Sequence, residues 1–141
     1  MDTLVIDTNV VLDLFVFEDP GTAPLREALL AGGLGWIATA AMREELRRVL
    51  DYPQLARHLP PAGPDSVMAA FDRHARLLGE APRCPFVCRD PDDQKFIDLA
   101  AAHGAGLLSK DAAVLSMARR LARLNVQVAR AWVPSATGAC A

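Results

Sequence analysis

An α/β domain built on a parallel sheet of five strands is the fold class this sequence predicts. Short apolar runs alternate with segments of helical period along the chain. The runs are continuously apolar rather than alternating, as strands buried on both faces must be. The 141 residues are 52% hydrophobic and 23% charged, which suits one globular domain. A chain of this length buries roughly 68% of its unfolded surface, so its core needs no staples.

The elements follow in order. Thr3 to Ile6 is a β-branched, apolar first strand. Val10 to Phe17 continues apolar and begins a helix, which Asp19-Pro20-Gly21 breaks. Ala23 to Ala31 is helical and Gly32-Gly33 stops it. Gly35 to Ala38 reads as the second strand. Ala40 to Leu50 is a helix with Met42, Leu46, Val49 and Leu50 at core spacing. A loop at Pro60 to Pro64 precedes a helix over Ser66 to Leu78, ended by Gly79 to Pro82. Phe86-Val87-Cys88 reads as the third strand. Asp90-Pro91 starts a helix that runs from Pro91 to His103 and is capped by Gly104. Gly106 to Ser109 is the fourth strand, Ala112 to Leu124 a helix, and Val126 to Ala131 the fifth strand. Residues 1–134 form one domain, and the Ser/Gly/Ala-rich residues 135–141 are expected to be a flexible tail.

Composition excludes several classes. A net charge of −2 argues against strong nonspecific nucleic-acid binding through charge alone. The cations are 13 Arg against 2 Lys, and Arg suits bidentate phosphate contacts; a GC-rich coding sequence also favours Arg. Cys84, Cys88 and Cys140 form no disulfide framework, and no second Cys/His pair stands at zinc spacing. Met1-Asp2 opens no secretory signal, and no stretch of ~18 apolar residues exists. The expected location is the cytoplasm.

Four acidic residues carry the chemistry: Asp7, Glu45, Asp93 and Asp111. Each follows a predicted strand or lies early in the next helix, so all four share the edge where open parallel sheets bind ligands. Carboxylates that converge repel one another and are tolerated together mainly around a hard divalent cation. Each also has a plainer role. Asp7 and Asp111 are candidate helix caps. Glu45 lies at the edge of its helix's apolar stripe, where an Arg partner would suffice, whereas Glu44 stands ahead of Arg48 as a surface pair. Asp90 and Asp92 fit the cap and first turn of their helix. Asp93 shares a face with Phe96, Ile97 and Ala100 and points toward the sheet, while Asp98 is expected to be solvated. Four independent caps have no reason to share one edge. Thr8, Asn9 and Ser109 stand nearby as polar support.

The segments Val5-Ile6-Asp7-Thr8-Asn9, Glu45-Leu46-Arg47-Arg48-Val49-Leu50, Asp90-Pro91-Asp92-Asp93-Gln94-Lys95-Phe96 and Leu107-Leu108-Ser109-Lys110-Asp111 together resemble the PIN-domain nucleases over nearly the whole chain. The Asp-Pro-Asp-Asp stretch resembles the VapC-like branch, toxins of toxin–antitoxin pairs. The resemblance implies a three-layer, Rossmann-like α/β/α sandwich. It implies an endoribonuclease that cleaves single-stranded RNA by Mg²⁺- or Mn²⁺-activated water. Carried over, Asp7, Glu45, Asp93 and Asp111 are the catalytic and metal-binding residues, with Asn9, Thr8, Ser109 and Lys110 as support or substrate contacts. An antitoxin partner and a homodimer are further implications. The departure from the family's pattern is Ser109-Lys110-Asp111, where many members have a Thr, a variable residue and then Asp; the Lys places a cation beside the site, where it would hold phosphate or partly replace a second metal. Arg43, Arg47, Arg89, Lys95 and Lys110 lie near enough in sequence to line an RNA track.

Three rival readings remain at this level. A haloacid-dehalogenase-type phosphatase wants Asp-x-Asp-Gly, but Asn9 and Val10 stand at the last two positions. A receiver-type signalling domain needs a phospho-accepting Asp after a central strand, which Cys88 to Asp93 does not match. A binding module would keep the acidic pocket and use it to engage a partner such as an antitoxin.

Overall fold

A computed structural model describes residues 2–134; the predicted tail at 135–141 lies outside them. Five parallel strands form one sheet in the order β3-β2-β1-β4-β5. They are β1 (Thr3–Ile6), β2 (Gly35–Thr39), β3 (Ala75–Leu78), β4 (Gly106–Leu108) and β5 (Val128–Ala129). The helices are α1 (Thr8–Phe15), α2 (Ala23–Leu30), α3 (Ala40–Leu50), α4 (Pro64–His74), α5 (Gln94–His103), α6 (Ala112–Leu115) and α7 (Ala118–Ala122). None of the described helices is long and apolar enough to cross a membrane.

Side chains alternate faces along a strand. Leu4, Val5 and Ile6 of β1 are nonetheless all buried, so both faces of the sheet are covered at its centre. Helices α1, α3 and α4 pack in series, with α3 against β2 and α4 against β3. Trp36 of β2 stacks on Phe15 of α1 and meets Phe71 of α4 edge-on at 5.0 Å. Helix α5 lies against β1 and β4 and ends at Gly104, which takes the left-handed φ of 58° that closes a helix without a Cβ penalty.

Four elements correct the sequence expectation. The segment Ala75–Leu78 was expected to finish a helix, because Ala, Arg and Leu are strong helix formers. It is instead β3, paired with β2 from Trp36↔Ala75 to Thr39↔Leu78. Tertiary pairing overrides local propensity there. Phe86-Val87-Cys88, the expected third strand, is irregular. Its backbone groups find side chains rather than a ladder: the Cys88 N–H donates to Gln94 Oε1 at 2.6 Å, and Gln94 Nε2 donates to the Phe86 carbonyl at 3.1 Å. The helix expected over Ala112 to Leu124 is divided at Ser116 and Met117 into α6 and α7. Only Val128 and Ala129 of the expected fifth strand pair with β4.

The sheet order reverses between β1 and β4, the outward neighbours of which run in opposite sequence directions. This is the switch point at whose carboxyl end a cleft opens in sheets of this type. Asp7 follows β1 and Ser109 follows β4 at that place.

Candidate functional site

Asp7 stands in the N-cap position of α1, yet its side chain caps nothing. It accepts instead a 2.6 Å hydrogen bond from the Ser109 hydroxyl. The same Ser109 oxygen accepts the Asp111 N–H at 3.0 Å. One fully buried hydroxyl thus ties the ends of β1 and β4 together. The side chain of Asn9 accepts the Lys110 N–H at 3.3 Å and holds the same loop from α1.

Asp93 ends a short 3₁₀ turn, Pro91–Asp93, and is 7% exposed. Its Oδ2 is buried and has no hydrogen-bond partner. An orphaned buried carboxylate oxygen costs free energy unless something else meets it. Asp90, Asp93 and Asp111 each offer an oxygen, and these atoms lie within 4.8 Å of one another. Burial, the Asp7 charge and the facing Asp111 and Asp90 carboxyls push Asp93 up to about 7. Asp7 is also raised, first by burial and then by Glu45 and Asp111, against the lowering bond from Ser109. Asp7, Asp93 and Asp111 therefore stand within reach of one another's charge, and Glu45 within reach of that of Asp7.

They are not equivalent. Glu45 sits outside the close three-carboxylate group. Its Oε2 accepts the Thr8 hydroxyl and its Oε1 lies 2.6 Å from Lys95 Nζ. The predicted Arg partner is thus a lysine. Asp111 caps α6 through Oδ1, which accepts the Ala113 N–H at 2.8 Å, and still faces Asp93. Asp90 was assigned only a cap by the sequence. It does accept the Asp92 N–H at 3.0 Å, but it also completes the cluster. Three acidic residues within four positions were the available signal.

The cations are more committed than the sequence suggested. Lys110 does not extend over the carboxylates; its Nζ lies 2.6 Å from Asp13 Oδ2 on α1. Arg43 makes a two-pronged contact with Asp72. Arg47 and Arg89 are exposed and have no ion pair among the described residues. Asp98, expected to be solvated, is an anchor. Its Oδ1 accepts the Cys84 N–H and Gln94 Nε2, each at 2.8 Å, and its Oδ2 lies 3.7 Å from Arg83.

A cleft of about 250 Å³ lined by Thr39, Glu80, Arg83 and Lys95 adjoins this edge. A larger one, about 570 Å³, lies between α7 and β5, but no ionisable side chain lines it. The smaller cleft meets the acidic group through Lys95, the partner of Glu45. Hard oxygen donors with one unfilled buried oxygen suit a hard divalent cation such as Mg²⁺ or Mn²⁺.

The architecture is an α/β fold with an acidic group at the carboxyl end of its switch-point strands. The chain belongs to the PIN domain family, whose profile matches residues 3–113. Among solved structures it is similar to VapBC2 from Rickettsia felis bound to a DNA fragment from their promoter, with 14% identity over 89% of this chain and 98% of that one and a TM-score of 0.61. That likeness is one of fold. No curated protein matches the sequence.

Proposed function

We propose that this chain is a Mg²⁺- or Mn²⁺-dependent endoribonuclease that cleaves single-stranded RNA, and that it is the toxin of a toxin–antitoxin pair. The observation that carries the nuclease reading is Asp93: a buried carboxylate, one oxygen unpartnered, facing Asp111 and Asp90 beside Asp7. Membership of the PIN domain family supports it. The likeness to a VapBC complex supports an antitoxin partner.

Asp93 and Asp111 would hold the ion with Asp90 beside them, and Asp7 and Glu45 would border it. When bound, the ion activates water for attack on phosphorus and neutralises charge on the phosphodiester. The remaining work falls to the protein's own groups. Ser109 fixes the rotamer of Asp7, and Thr8 fixes that of Glu45. Asp93 is pushed up to about 7 in the metal-free chain, and it must release its proton for the cluster to hold a cation. The exposed Arg47 and Arg89 and the cleft beside Lys95 provide contacts for the sugar–phosphate chain.

Release of acid-soluble fragments from single-stranded RNA with Mn²⁺ tests the reading. Wild type is expected to release them, and a chelator or Asp93→Asn to stop it. A folded, Mn²⁺-loaded wild type that leaves RNA intact would overturn the assignment. Phosphate release from p-nitrophenyl phosphate instead would make the protein a phosphatase.

A further inference from the structure

Glu45 is the odd member of the acidic group. It is close enough for its charge to act on Asp7, yet neither of its oxygens is open. One is held by Thr8 and the other by the Lys95 ammonium at 2.6 Å. Lys95 is itself held in place. It also donates to the Asp92 carbonyl, and its Nζ lies 4.9 Å from the centre of the Phe96 ring. The two side chains of the pair are 27% and 20% exposed, Lys95 and Glu45 respectively, so water screens them only in part.

We propose that Lys95 is a built-in cation that takes the place of a second divalent ion at Glu45, so that the site loads a single ion. This rests on the metal-dependent reading above. The close group of Asp90, Asp93 and Asp111 offers three oxygens to one ion. A second ion between Asp7 and Glu45 would have to displace an ammonium anchored at three points and share its space against like-charge repulsion. Two of the three ammonium hydrogens are used by Glu45 and Asp92. The third is left for an acceptor entering from the cleft, which Lys95 also lines. Lys95 therefore keeps a fixed positive charge at Glu45, with one hydrogen directed to a phosphodiester oxygen that enters from the cleft. Lys110, the cation that the sequence offered for this task, is spent on Asp13.

Counting Mn²⁺ tests the proposal. Titration calorimetry, with paramagnetic resonance of free Mn²⁺, should give a single ion in wild type. Lys95→Met frees Glu45 and should take two; Lys95→Met combined with Glu45→Gln should return to one. Glu45→Gln alone keeps the ammonium in place with an amide oxygen as its acceptor, and should still take a single ion. Two ions in wild type, a single ion in folded Lys95→Met, or two ions in Glu45→Gln would each overturn it. Asp93→Asn separates this claim from the one beneath it. If that variant binds Mn²⁺ as wild type does, or wild type binds none, the cluster assignment falls and Lys95 with it. If Asp93→Asn abolishes binding while Lys95→Met still takes one ion, only the Lys95 role is lost.

Discussion

Two aspartates at the start and middle of α5 are both largely hidden from water, and they behave in opposite ways. Asp98 has its oxygens filled by the Cys84 N–H, Gln94 Nε2 and Arg83. It anchors the irregular segment between β3 and α5. Asp93, five residues earlier, keeps one buried oxygen empty and faces other carboxylates. A satisfied acid contributes to stability and an unsatisfied one subtracts from it. Position along a helix does not separate the two cases; the partners do.

The sharpest way to break this contrast is to remove the charge from Asp93. Asp93→Asn should lower the rate of RNA cleavage by about 10³-fold or more, the scale of losing several kcal/mol of metal assistance. Its melting temperature should stay unchanged or rise, since repulsion is relieved. A large fall in melting temperature with activity retained would make Asp93 a structural residue like Asp98.

The pH dependence of stability sharpens the same point. The Asp93 carboxyl is raised to about 7 in the folded chain from an unfolded value of about 3.9. A raised carboxyl binds its proton more tightly when folded. Its stabilising contribution is therefore fully present below about pH 4 and is lost as pH rises through about 7. The metal-free protein should lose stability on the order of 3 kcal/mol across that window through this group. Asp93→Asn should lack that part of the slope. Saturating Mn²⁺ should restore melting temperature at the upper end, by about 2.7 kcal/mol at a hundred times the dissociation constant. Thermal melts of both proteins across the window, with and without Mn²⁺, decide it; identical slopes would remove Asp93 from the account.

On the other side of the comparison, Asp98→Ala strands the Cys84 N–H and the Gln94 amide. It should cost about 2–3 kcal/mol in chemical denaturation while leaving cleavage per folded molecule nearly unchanged. The smallest effect is expected at Glu44, which is exposed beside the half-buried Glu45. Glu44→Gln should move stability by less than about 0.5 kcal/mol and leave cleavage as it was.

Much of this architecture was legible in the residues. Thr3 to Ile6 and Ala40 to Leu50 match β1 and α3 end to end, because apolar runs and the 3.6-residue period are local signals. The separation of Glu44 from Glu45 was legible for the same reason. The third strand was not. Ala75–Leu78 carries helix formers, and only β2 alongside makes it a strand. Asp90 was masked by its own success as a cap, since Asp before Pro explains itself without a cluster. The partners of Glu45 and Lys110 were out of reach of the sequence as well. Lys95 lies fifty positions from Glu45, and nothing local says which of many cations will arrive.

The Ser109 hydroxyl reaches Asp7 across a separation of 102 residues. The sheet's central pair, β1 and β4, is also made of segments this distant. A chain emerging from the ribosome therefore carries its first carboxylate long before the groups that aim it. Until β4 is synthesised and docked, the growing polypeptide has no assembled pocket.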